Sequence, residues 1–346
     1  MRAAVLTQPE TIVVEDRPTP VPGPDQVLVR VSSVGICGSD VHYYQHGRIG
    51  DFVVKDPMIL GHEAAGTIEA VGANVTRVQP GQRVAIEPGV PDFTCAECRA
   101  GRYNLCPQVE FYATPPFDGA FAELVLAHSA FVYPVPDAVS DDAAALIEPL
   151  SVGIWANRKA AVDPSATVLI TGAGPIGLVN LQVARARGAG TVYVSDVNEH
   201  RLAAAAELGG IPINVGAEPL TAQLSSAPTV VLECSGVPEV VGEAIRALAP
   251  AGRAVLIGMG GDEISLPVSA IQNRELSITG VFRYANTWPE AISLIMSGAV
   301  DLDRLVTGYF DLDHAADALL AGQQDPQAIK SVVRPNGIGD AVPAAR

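Results

Sequence analysis

The stretch TVLITGAGPIGLVNLQVARARGAGTVYVSD, Thr167 to Asp196, decides the fold. An apolar run, TVLIT, leads directly into GAGPIG. An apolar-periodic stretch follows, and a second apolar run, TVYVSD, ends on a carboxylate. Short β-branched runs of this kind read as strands buried on both faces, and the segment between them reads as a crossover helix. Gly172, Gly174 and Gly177 stand in the GxGxxG spacing, with Pro175 and Ile176 at the helix mouth. Glycines there allow a tight turn, close approach of the backbone to a pyrophosphate and close helix packing, while the helix N-terminus offers unpaired N–H groups. Asp196 lies 24 residues beyond Gly172. A carboxylate at that strand end accepts hydrogen bonds from the adenosine ribose and repels a 2′-phosphate, which favours NAD over NADP. The same Asp could instead cap the helix that begins at NEHRL, and Arg201 could hold a phosphate or simply face solvent.

The alternation continues downstream through EHRLAAAAELG, TVVLECSG, VVGEAIRALA and RAVLIGMG. This texture predicts an α/β, doubly wound parallel sheet with helices on both faces. Upstream, QVLVRVSSVG, AAGTIEAVGANVTRV and PGQRVAIEP are short β-branched runs punctuated by Gly and Pro, which predict an irregular all-β barrel. The expected division is a barrel domain over 1–149 and 286–346 and a dinucleotide-binding domain over 150–285. The Pro/Gly/Ala-rich C-terminal tail is expected to fray.

With 346 residues, 48% of them hydrophobic, the chain exceeds what one ordinary core fills, so two domains are the default. A net charge of −16 without long like-charge blocks leaves no basic surface for nucleic acid or an anionic membrane. No apolar run approaches the roughly 18 residues that span a bilayer, and the N-terminal segment lacks the pattern of a secretory signal. Five cysteines, three of them between Cys95 and Cys106, are too few for a disulfide scaffold and suit metal binding in a reducing compartment. The expected location is the cytoplasm.

Metal-ligand residues occur in three separate pieces of the β-rich half: Cys37 in GICGSDVH, His62 with Glu63 in GHE, and Glu148 in ALIEPLSV. Singly, each has an ordinary reading, as a small buried hydrophobe, a satisfied polar residue or an ion-pair partner. Together, ahead of a dinucleotide fold, they form a Cys/His/carboxylate set suited to tetrahedral zinc with an open position.

Over most of its length the sequence resembles the zinc-dependent medium-chain dehydrogenases, in their sorbitol (L-iditol) and xylitol dehydrogenase branch. The motifs that carry the resemblance are CGSDVHYYQHGRIGDFVVKDPMILGHEAAG, EPGVP, CRAGRYNLCP, ATPPFDG, ALIEPLSVGI, GAGPIG, ECSG and GVFRYANTWP. The resemblance implies a GroES-like barrel joined to a Rossmann domain, and oxidation of a polyol by hydride transfer to NAD. Cys37 and His62 are then ligands of the catalytic zinc. Glu63 resembles the branch's carboxylate ligand, and Glu148 the residue that holds zinc-bound water; which of the two touches the metal stays open. Ser39 resembles the first hydroxyl of a proton relay, His42 its end or a cofactor contact, and Asp40 the carboxylate that orients His62. Cys234, Ile257, Met259, Val281 and Arg283 fall along the cofactor. Tyr43, Ile49, Phe52, Phe111, Met259, Arg283 and Tyr284 line the substrate pocket, where an Arg, a Tyr and a Glu match a chain of hydroxyls better than a simple alcohol. For Phe52 and Phe111, packing in the core is the competing reading.

Cys95, Cys98 and Cys106, at spacings x2 and x7, match three cysteines of the family's structural zinc lobe, and Asp92 occupies the place of the first. Zinc accepts a carboxylate oxygen, so a second zinc is expected there; the alternative is a metal-free lobe held by packing. The family suggests a homotetramer, with a dimer next. Three other functions compete: a general secondary-alcohol dehydrogenase of the same family, a zinc hydrolase with a structural dinucleotide, and a non-catalytic dinucleotide-binding protein.

Overall fold

The computed structural model describes residues 1–261 and 263–337. The chain forms two compact units, Pro149–Asp301 and Met1–Glu148 with the chain from Leu302 onward.

In the unit Pro149–Asp301, six described strands form a wholly parallel sheet. Their order across the sheet is Ile211–Asn214, Thr191–Asp196, Thr167–Thr171, Val230–Glu233, Arg253–Leu256 and Ser277–Gly280. The chain therefore starts in the middle, winds one way for three strands, and returns to wind the other way for three. The reversal falls between Thr167–Thr171 and Val230–Glu233, where doubly wound sheets bind ligands at the C-terminal strand ends. Both of these strands are almost wholly buried, as a parallel strand covered on two faces must be. Leu169, Val231, Ala254, Val241 and Ile245 belong to the core on one side of the sheet.

The boundary expected at 286 lies further on. The helix Trp288–Met296 belongs to the parallel-sheet unit, because Glu290 pairs with Arg158 and, at 2.9 Å, with Arg187. Gln182 holds the following turn, accepting the Asp301 N–H at 2.7 Å. The chain rejoins the other unit only from Leu302. The tail from 338 lies outside the described residues.

In the first unit, the strands Val132–Pro134, Arg83–Ile86, Glu63–Val71, Gln26–Gly35, Lys330–Val333 and Val306–Phe310 neighbour one another in that order, and Leu124–His128 adds to Gln26–Gly35. All pair antiparallel except Val306–Phe310 with Lys330–Val333. Alternate residues such as Val27, Val29 and Val31 face a barrel core that also holds Leu6, Ile68, Ile86 and Phe121. Register then brings three segments together at one end. Gly35 pairs with Glu63 on one side and with Val332 on the other, so the turn carrying Cys37, the His62–Glu63 pair and the C-terminal strand become neighbours.

Candidate active site

Cys37 stands at the N-terminus of the helix Gly38–His46, immediately after the strand Gln26–Gly35. The third residue of that helix, Asp40, is fully buried and serves as a brace. Its Oδ2 accepts the Cys37 N–H at 3.1 Å, its Oδ1 accepts the Gly61 N–H at 2.9 Å, and Oδ1 lies 3.5 Å from His62 Nδ1. One carboxylate thus fixes the backbone beside two donors and faces the imidazole of one of them.

Ligand atoms of Cys37, His62 and Glu63 lie within 4.8 Å of one another, close enough for one metal ion. Burial alone would lower the His62 pKa, but the charges and hydrogen bonds of Asp40 and Cys37 outweigh it and hold the pKa well above the ordinary imidazole value. The surroundings thus favour positive charge at this point, and a Cys/His/carboxylate donor set fits zinc in size and softness. Glu63 is held by Lys330, whose Nζ donates to Oε1 at 2.7 Å, lies 2.6 Å from Oε2, and also donates to the carbonyl of Ile36. Both side chains are buried. The carboxylate is packed so closely that a Cβ on Gly35 would lie 2.1 Å from Oε2.

The two expected carboxylates therefore differ. Glu63 joins the donor group; Glu148, although buried, stands outside it. Glu148 acts electrostatically on Glu87, a buried carboxyl that accepts hydrogen bonds from Tyr103 at 2.7 Å and Tyr133 at 2.9 Å. Burial, reinforced by Glu148 and opposed by the two tyrosines, pushes the Glu87 pKa up to about 7. Glu87 also lines a cavity of about 490 Å³ with Phe111, Tyr112, Phe117 and His128.

Phe111 lies against His62, with ring centroids 5.7 Å apart. Ile49 is half-buried and Phe52 is 44% exposed on their short hairpin, whereas Tyr43 is nearly fully buried in the barrel core. Ser39 is half-buried and His42 exposed, its ring 5.7 Å from that of His46.

The lobe residues Asp92, Cys95, Cys98 and Cys106 also converge within 4.8 Å. Asp92 Oδ1 accepts the N–H groups of Cys95 at 2.9 Å and Thr94 at 2.8 Å, which hold its pKa down at about 2. The Cys98 thiol is pushed up to about 12 by desolvation and by its hydrogen bonds to Cys95, Asp92 and Cys106. Crowded anionic donors resist deprotonation together unless a cation joins them.

In the other unit, the loop after Thr167–Thr171 is built as its glycines require. Gly172 has φ of +85°, and a Cβ on Gly177 would lie 1.8 Å from the carbonyl oxygen of Gly172. A Cβ on Gly174 would meet only open space, the room a pyrophosphate needs to reach the backbone. Pro175 opens the helix Pro175–Ala186 at its first position. Asp196 Oδ2 accepts the Ala173 N–H at 2.7 Å, and Oδ1 accepts the N–H groups of Val197 and Asn198, which leaves Oδ2 room for a further donor. Asp196 does not cap the next helix: Asn198 does, accepting the Arg201 N–H at 3.1 Å. Arg201 and Ile257 are half-buried, and Met259 is 49% exposed. Val281 extends the last strand end, its N–H on the carbonyl of Leu256. Arg283, at φ of +54°, lies over the Phe282 ring, and Tyr284 is buried edge-on against Trp288. Cys234 is desolvated beside Glu233, which keeps its thiol pKa well above the ordinary value.

The alcohol dehydrogenase GroES-like domain family matches residues 23–137, and the zinc-binding dehydrogenase family matches residues 175–297. Sorbitol dehydrogenase of Gallus gallus is 47% identical over 325 residues, 91% of each chain. Sorbitol dehydrogenase of Bos taurus is 48% identical over 323 residues, covering 91% of this chain and 90% of that one. The chain belongs to the zinc-dependent medium-chain dehydrogenases, in their sorbitol dehydrogenase branch. Among solved structures, an Escherichia coli alcohol dehydrogenase complexed with NADH superposes with a TM-score of 0.90 at 31% identity, over 97% of this chain and 99% of that one. The protein is accordingly a zinc-containing, NAD-dependent oxidoreductase, with a GroES-like unit and a Rossmann unit.

Two residues of these sites escape a reading of the sequence. Lys330 is visible as the cation within the strand Lys330–Val333, but only strand register reveals that it meets Glu63. Glu233 opens the motif ECSG, yet its neighbour Cys234 draws attention by its chemistry.

Proposed function

We propose that the protein oxidises a polyol of the sorbitol, xylitol or iditol type at a secondary hydroxyl, giving the 2-ketose and NADH. The observation that carries this reading is the Cys37–His62–Glu63 donor group, braced by Asp40 and Lys330, in a chain nearly half identical to sorbitol dehydrogenases. Cys37, His62 and Glu63 would hold the catalytic zinc, the Gly172–Gly177 loop would receive the pyrophosphate, and Asp196 would receive the adenosine ribose. Zinc, when bound, eases loss of the hydroxyl proton, and NAD supplies the hydride acceptor. Ser39 Oγ accepts that proton as it hands its own on, and His42 ends the relay by passing a proton to solvent. Asp40 keeps the His62 ring in one orientation throughout. Glu148 accepts from a further hydroxyl, with Phe111 and Phe52 as apolar walls.

The assay that tests this reading follows absorbance at 340 nm with NAD and a panel of polyols, 2-propanol and benzyl alcohol. A site built for several hydroxyls is left with unpaired polar groups by a simple alcohol, so the best polyol should exceed both in kcat/KM by up to about 10⁴-fold, and a chelator should abolish the signal. Equal rates with 2-propanol would replace the polyol assignment with a general alcohol dehydrogenase, and turnover that survives complete zinc removal would end the zinc mechanism. The five free cysteines suit a cytoplasmic location, and among the described residues no helix is long and apolar enough to cross a membrane. The assembly is read as a homotetramer on family resemblance.

A further inference from the structure

Glu233 is buried at the C-terminal end of the strand Val230–Glu233, beside the point where the sheet order reverses. Its Oε1 accepts the Thr171 hydroxyl at 3.1 Å, the Ser235 N–H at 2.9 Å, the Gly236 N–H at 3.0 Å and the Ser235 hydroxyl. Thr171 ends the neighbouring strand and immediately precedes Gly172. One carboxylate therefore ties the root of the glycine-rich loop to the next loop across the sheet.

The loops it joins are packed backbone against backbone. A Cβ on Gly172 would lie 3.3 Å from the backbone of Cys234 and Ser235. A Cβ on Gly236, whose φ is +68°, would lie 2.2 Å from the carbonyl oxygen of Met259, and one on Gly258 would lie 2.3 Å from the Gly236 nitrogen. The loops 172–177, 234–236 and 257–260 thus form one layer over three successive strand ends. Asp196 ends the strand on the opposite side of Thr167–Thr171. A dinucleotide with its adenosine ribose at Asp196 and its pyrophosphate on the glycine loop must carry its other half over Glu233 and Gly236.

We infer that Glu233 is a positioning residue for the nicotinamide half of the cofactor, acting through the 234–236 loop. This rests on the reading above that the glycine loop and Asp196 hold NAD. Within the loop, Ser235 adds to the same hold, its hydroxyl donating to Glu233 while accepting the Val237 N–H at 3.2 Å, so the bonds gathered on Glu233 set the loop's place.

The test measures binding directly, with wild type, Glu233→Gln and Thr171→Val, by NADH fluorescence titration and by calorimetry with ADP, which carries only the adenosine half and the diphosphate. In Glu233→Gln one acceptor oxygen becomes an NH2 group that cannot accept the Gly236 N–H now 3.3 Å from Oε2, and a single amide oxygen is left for the remaining donors, so Kd for NADH should rise roughly 10- to 100-fold while Kd for ADP changes less than about threefold. Thr171→Val removes one hydroxyl without changing side-chain shape. It should shift in the same direction by less, and the double variant should fall short of the sum because both act on one tie. Equal weakening of NADH and ADP, or unchanged NADH affinity in a folded Glu233→Gln protein, would overturn the inference. If Glu233→Gln does not fold, Thr171→Val decides in the same way. Wild type that binds neither ligand would instead overturn the cofactor reading itself.

Discussion

At the scale of single residues, the informative groups are carboxylates taken out of water. Glu87 shares its burial with two tyrosine hydroxyls, which do not fully replace the lost hydration, so its pKa rises from 4.5 to about 7. A carboxyl raised on folding binds its proton more tightly in the folded chain. The associated stability is fully present below about pH 4.5 and is lost as pH rises through 7. Glu87→Gln, which cannot ionise, should therefore gain on wild type by at most about 3 kcal/mol between pH 4.5 and pH 8, measured by urea denaturation. A gap between the two proteins that does not change with pH would refute the buried-acid account. Glu63 faces the same problem and meets it with an ammonium 2.6 Å away. Cys37, His62, Glu63 and Glu148 were legible as a set because their residue types are unusual in the company of a dinucleotide fold, whereas only the fold separates Glu148 from the three whose donor atoms converge. Lys330 was not legible, because a lysine reports nothing of its partner until two strands are in register.

Among the elements, strands and glycine turns were the legible part, since apolar runs and GxGxxG spacing state their geometry locally. The helix Trp288–Met296 was legible as a helix, but not in its allegiance. An apolar face can pack on either unit, and what decides it is Glu290 meeting Arg158 and Arg187, more than 100 residues away in sequence. The lobe shows a similar mixture. Its cysteine spacing is local, whereas the pinning of Asp92 by the backbone of Thr94 and Cys95 needed the folded turn. With its carboxylate already oriented and ionised, the lobe should hold zinc, and metal analysis should find two zincs per chain. Asp92→Cys should make the second harder to remove by chelation, because thiolate suits zinc better than a shorter, harder carboxylate. One zinc per chain, with Cys95, Cys98 and Cys106 all open to a thiol reagent in native protein, would mean an empty lobe.

For the whole molecule, the decisive feature is that the two chemistries belong to separate units. The donor group Cys37, His62 and Glu63 is built by strand register within Met1–Glu148, together with Lys330 from the C-terminal strand. The glycine loop, Asp196 and Glu233 are built by the parallel sheet of Pro149–Asp301. Each unit has its own apolar core, so the donor group is held by one core and the loops over the parallel strands by another. Cys37→Ser and His62→Ala should therefore abolish hydride transfer while leaving Kd for NADH within about twofold of wild type, because the donor group and the glycine loop are each held by partners within their own unit. Gly177→Ala should do the reverse. The added Cβ, 1.8 Å from the Gly172 carbonyl oxygen, forces the loop apart, so NADH binding should fail while zinc content stays at the wild-type value. Zinc analysis and NADH titration on the three variants form one experiment. Loss of NADH binding in Cys37→Ser, or loss of zinc in Gly177→Ala, would show that the sites are not independent, and the assignment of metal to one unit and cofactor to the other would fail with it.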